Sequence, residues 1–127
     1  MTAKQRSALY WVLTVLFLLP LAGSGLPEMV GQAPAQAAQT LAHLGYPPYL
    51  SQILGVAKVL GAVAVLSNRS RVLKEWAYAG FTFDLLGAFA SHLISGDGPL
   101  ALAPLSMLPF VLGSRALWVR SISSATT

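Results

Sequence analysis

Four stretches of the chain are apolar enough, or nearly so, to form membrane-length helices, and polar connections separate them. Residues 8–26 are apolar apart from Thr14 and Ser24, close to the ~20 residues that cross a hydrocarbon core. Pro20 predicts a kink there and Gly23 to Pro27 an end. Residues 49–67 form the second stretch and 76–95 the third. Residues 99–118 form the fourth, where Pro104 and Pro109 predict a bent or partly broken helix. Beyond Trp118 the last residues read as disordered. The connection 27–48 is too polar to span, but Ala33 to Leu44 fits a short interfacial helix stopped by Gly45 and Pro47-Pro48. The other connections are short: 68–75 is basic, and Gly96-Asp97-Gly98 is a tight turn.

The third stretch carries the most information. From Asp84, the positions Gly80, Gly87, Ala88, Ser91, His92 and Ser95 share one helical face, small and polar, while Phe83, Leu85, Leu86, Phe89 and Leu93 point elsewhere. A membrane helix with such a stripe needs partners to hide it. The second stretch offers Ser51, Gly55, Gly61 and Ala62 around a central Lys58, and small residues are what allow membrane helices to approach closely. A central Lys or Asp costs ~2.5–3.5 kcal/mol on the insertion scale. Lys58 and Asp84 each lie ~13 Å along their helices from the basic connection that joins them. That matched depth predicts a Lys58–Asp84 ion pair. His92 falls ~12 Å further on, in a layer that Glu28, His43 and Asp97 can also reach. The intramembrane polar site is therefore Lys58, Asp84, Ser91, His92 and Glu28, serving either a ligand or the packing of the helices. Tyr46 reads as an interfacial anchor, and Glu75 with Lys74 as solvated charge.

Composition narrows the class. The chain has 127 residues, 55% hydrophobic and 9% charged, against about 25% charged in soluble domains. This predicts a single membrane domain, 1–127, with the lipid bilayer as solvent. The net charge of +4 sits in short clusters at the ends of apolar segments, which argues against nucleic acid. Those clusters put both termini and the 68–75 connection in the cytoplasm. The expected fold is all-α: an integral membrane four-helix bundle of antiparallel up-down topology. A cleavable signal peptide is the competing reading of the first stretch. With no cysteine, thiol redox chemistry and disulfides are excluded. No nucleophile–base pair or phosphate loop appears, so no catalytic residue is assigned. No two candidate ligands show metal-binding spacing on one element, so no metal is expected either.

Three motifs carry a resemblance: His43-Leu44-Gly45-Tyr46-Pro47; the run Leu54 to Ala62, LGVAKVLGA; and Lys74-Glu75-Trp76-Ala77-Tyr78-Ala79-Gly80. Phe83-Asp84, Gly87-Ala88 and Ser91-His92-Leu93 continue it. In their order and spacing these motifs resemble the DoxX-like family of small four-span membrane proteins. The resemblance implies a multi-pass protein of the bacterial inner membrane. The family is named for a subunit associated with a thiosulfate:quinone oxidoreductase, and distant relatives look like assembly factors. The leading expectation is a non-catalytic accessory or assembly subunit with a membrane-protein partner or a homo-oligomeric form, and no cofactor. One alternative is a redox-linked subunit with a quinone or proton site at Asp84 and His92. A second is a small transporter acting as an oligomer.

Overall fold

The structure, a computed structural model, describes residues 1–126, with the side chains of 124–126 left aside. It is helical almost throughout. Helix α1 spans Ala3–Met29, α2 Ala35–His43, α3 Tyr49–Ser67, α4 Arg71–Ile94 and α5 Leu102–Thr126, the last preceded by a 3-10 turn, Gly98–Ala101. The main contacts run from α1 to α3, α3 to α4, α4 to α5 and α5 back to α1, so the four long helices close a ring. The short α2 lies at one end. At the other end are the N-terminus, the α3–α4 turn and the far end of α5, with Lys4, Arg6, Arg69, Arg71, Lys74, Arg115 and Arg120; we call this the basic end.

Local signals explain three of the helix ends. Thr2 caps α1 in a reciprocal capping box with Gln5, satisfying two backbone donors that the first turn cannot bond internally. Ser70 caps α4 by accepting from the Leu73 amide at 3.2 Å. This cap starts α4 five residues before the expected Trp76, so the basic connection shrinks to Asn68–Ser70. Asn68 itself closes α3 in the left-handed region at φ 53°, where Asn is among the few non-glycine residues tolerated.

One expectation from proline fails. Helix α1 does not end at Gly23–Pro27 but runs through both Pro20 and Pro27 to Met29. The two prolines free only the carbonyls of Leu16 and Gly23, four residues before each, a loss that membrane-type helices tolerate. The extra turn carries Glu28 into the ring of helices. In α5, Pro104 falls in the first turn, where proline costs little, and only Pro109 lies in the helix interior. The end expected to be disordered is helical through Thr126; Thr127 lies outside the described residues.

The packing is inside-out relative to a water-soluble protein. Leu19, Trp76, Phe83 and Ile94 are 72%, 72%, 71% and 87% exposed, whereas Thr14, Glu28, Lys74, His92 and Ser114 are buried. Such a large exposed apolar surface requires an apolar solvent. Three helices, α1, α3 and Gly98–Ser123, are long and apolar enough to cross a bilayer. Helix α4 has 24 residues, a sufficient length, but Arg71, Lys74, Glu75, Asp84 and His92 lower its hydropathy. At the centre, Phe17, Leu21, Ala62, Val65, Phe81, Leu85 and Val111 form one apolar cluster. Beside it a buried polar chain ties three helices: Ser114 on α5 bonds Thr14 on α1 at 2.6 Å and Tyr78 on α4 at 2.7 Å.

Candidate functional site

The residues singled out in the sequence divide among separate places. The first is the α1–α3 seam. Gly25 on α1 and Gly55 on α3 allow the two backbones to meet: a Cβ on Gly55 would lie 2.4 Å from the Met29 nitrogen and 2.8 Å from the Glu28 carbonyl carbon. At this contact the Lys58 ammonium donates to both Glu28 carboxylate oxygens, at 3.3 and 3.2 Å, and reaches Ser24 Oγ at 3.4 Å. Lys58 therefore pairs with Glu28 rather than with Asp84 as expected. The cause is the continuation of α1 past Pro27, which brings Glu28 to the depth of Lys58.

Among the described residues Asp84 is left without a hydrogen bond or ion pair; Lys58 attracts it and Glu28 repels it only through space. It lies on the wall of a groove of about 620 Å³ between α3 and α4, with Lys58, Gly61, Ala64, Ala77 and Gly80 among its neighbours. The groove runs from the Lys58–Asp84 level to Arg69 and Ser70 at the basic end. His92 is not on its wall, so the structure does not unite Asp84 and His92 in one site. The small-residue stripe of α3 also divides. Gly55 serves the seam with α1, while Gly61 receives the ring of Phe81 from α4, which a Cβ would meet at 2.9 Å.

The second place is the α2 end. Asp97, in the turn after α4, accepts from His92 Nδ1 at 2.9 Å through one oxygen and from His43 Nε2 at 2.7 Å through the other. The turn is possible because Gly96 and Gly98 take positive φ. Ser91 bonds the Tyr46 hydroxyl. Asp97 thus links the end of α2 to the end of α4, and Tyr46 acts as a tether to α4 as well as a half-exposed aromatic. The expected layer of His92, Asp97 and His43 forms; Glu28 is not part of it. Both oxygens of Asp97 are occupied, and among the described residues no group of His, Asp and Glu is arranged to hold a metal ion.

The two imidazole donors hold the Asp97 carboxyl below the usual carboxylate range, with His92 contributing most. A carboxyl whose folded value is depressed contributes stability that is fully present above its unfolded value near ~3.9 and disappears as pH falls through the folded value. Wild-type protein in mild detergent should therefore lose stability on acidification through that window. Asp97→Asn should be less stable at neutral pH, and the gap between the two should close in acid. A gap that is constant with pH would contradict the assignment.

The third place, at the basic end, was not foreseen. Lys74, expected as solvated charge, is 1% exposed. Its ammonium donates to the Tyr10 hydroxyl at 2.9 Å and to Asn68 Oδ1, and lies 4.7 Å from the centre of the Trp118 ring. The sequence signal available was position: Lys74 falls one turn before Tyr78, on the inward face of α4. Glu75, its neighbour, forms a two-pronged pair with Arg115 at 2.7 and 2.9 Å.

These arrangements can brace helices and hold charge. No curated protein and no solved structure matches the chain significantly. The model of the DoxX-like family matches residues 12–114, a range that includes the α1–α3 seam, the α3–α4 groove and the Asp97 link. On that match, together with membrane-length apolar helices, the chain is a multi-pass membrane protein and belongs to the DoxX-like family.

Proposed function

We propose that the protein is a non-catalytic accessory or assembly subunit of a membrane complex, spanning the bacterial inner membrane four times as an antiparallel bundle with both termini in the cytoplasm. The observation that carries this reading is how the buried polar groups are used. Thr14, Tyr78 and Ser114 bond one another, Lys58 holds Glu28, and Asp97 holds two histidines, each set joining different helices or their ends. Among the described residues, no buried side-chain nitrogen or oxygen lacks a partner. Such groups specify one arrangement of helices, which suits a fixed framework. The clustering of basic residues at one end supports the orientation.

A redox-linked reading, with quinone near Asp84, is favoured by the groove alone. It no longer draws on His92, whose Nδ1 is committed to Asp97.

Affinity purification from native membranes in mild detergent, with mass spectrometry and an absorbance spectrum, separates the two. The accessory reading expects a membrane protein recovered in fixed ratio with this chain and no bound chromophore. Recovery of the chain alone, carrying quinone, would overturn it in favour of the redox reading.

A further inference from the structure

The groove between α3 and α4 has an unbalanced charge. Glu28 and Lys58 neutralise each other across the α1–α3 seam. Asp84 stands beside them with no partner of its own among the described residues. With Asp84 ionised, the three groups together carry one negative charge too many, in the part of the molecule where an uncompensated charge costs most. The groove supplies what is needed to admit a compensating cation. Its volume of about 620 Å³ lies within the ~300–1,000 Å³ of small-molecule sites. Gly61, Ala64, Ala77 and Gly80 leave the space, and Trp76 and Phe81 add aromatic surface. Carboxylate, aromatic rings and apolar walls are the combination that holds an organic cation with greasy substituents.

We infer that the α3–α4 groove is a binding site for a lipophilic organic cation, whose charged centre sits against Asp84 and whose apolar body lies along the groove toward the basic end. Lys58 and Arg69 are on the same wall, but the charge of Lys58 is already engaged by Glu28, and Arg69 stands at the opposite, basic end of the groove from Asp84. The site stands whether or not a partner protein is found. A neutral guest would not use the unmatched carboxylate, and an anionic one would be repelled by it.

The test uses two ions of the same shape and opposite charge. The purified full chain in nonionic detergent is titrated by equilibrium dialysis with tetraphenylphosphonium and with tetraphenylborate. Wild-type protein is expected to bind the phosphonium saturably, one per chain, and not the borate. Asp84→Asn is expected to weaken phosphonium binding about ten-fold or more, the loss of one charge-assisted contact. Gly80→Leu blocks the groove without touching the charge, since a Cβ there meets nothing within 4 Å; it should also weaken binding while leaving the unfolding midpoint near that of wild type. Equal binding by Asp84→Asn, equal binding of the two ions, or no saturable phosphonium binding to wild type would each overturn the inference.

Discussion

Glu28→Ala should be among the most damaging single substitutions in this protein, while Asp84→Asn should cost no stability. Removing Glu28 leaves the Lys58 ammonium, only 14% exposed at its side chain, facing Ser24 Oγ at 3.4 Å as its remaining polar contact. Breaking a buried pair from one side costs ~3–5 kcal/mol, because the surviving charge is stranded. Asp84 has no hydrogen bond to lose. Its replacement by a neutral amide of the same shape removes an unmatched charge and should leave the protein at least as stable as wild type. Unfolding in mixed micelles, followed by circular dichroism, reads both. A fall for Asp84→Asn as large as that for Glu28→Ala would mean that Lys58 is shared between the two carboxylates.

The second large effect belongs to Gly55. A methyl group there would overlap main-chain atoms of α1, 2.4 Å from the Met29 nitrogen, and main chain cannot swing aside as a side-chain tip can. Helices α1 and α3 must separate, which also lengthens the Glu28–Lys58 contact at the same level. Gly55→Ala should cost about 1–3 kcal/mol as an overpacked contact, and Gly55→Leu more. Gly87→Ala is the control. Nothing lies within 4 Å of its Cβ position, so the gain in helix propensity, up to about 1 kcal/mol, should leave that protein as stable as wild type or slightly more so. Equal tolerance of the two alanines would show that α1 and α3 do not meet at Gly55.

What the sequence made legible depended on whether one helix or two were involved. Periodicity and run length placed α3 at its observed ends, Tyr49–Ser67, and placed α2 within two residues at each end of the expected Ala33–Leu44. Those are properties of single elements. Depth along α3 and α4 alone pairs Lys58 with Asp84, because the short connection makes these helices obvious neighbours. The competing carboxylate sat beyond Pro27, where proline normally predicts a helix end. Once α1 continues, Glu28 and Lys58 share a level, and the Gly25–Gly55 contact brings them within reach. The small-residue pattern was visible, but which glycine faces which helix is a tertiary fact: Gly55 met α1 and Gly61 met Phe81. The burial of Lys74 is hidden from the sequence for a related reason. A lysine beside a glutamate near a helix start looks solvated until Tyr10 and Trp118 arrive from two other helices. The His43–Asp97–His92 link was within reach of the sequence, since its members were already assigned to one layer and only Glu28 had to be removed.

A double-mutant cycle on Lys58 decides the charge arrangement on which these arguments rest. Glu28→Leu, Asp84→Leu and Lys58→Met are made singly, and each carboxylate change is also combined with Lys58→Met, with unfolding measured in the same micelles. The expected result is a Glu28–Lys58 coupling of about 1 kcal/mol or more, with the double replacement recovering most of the loss caused by Glu28→Leu alone. The Asp84–Lys58 coupling should be within about 0.5 kcal/mol of zero. A strong Asp84–Lys58 coupling with none between Glu28 and Lys58 would contradict the arrangement, and with it the free carboxylate on the α3–α4 groove.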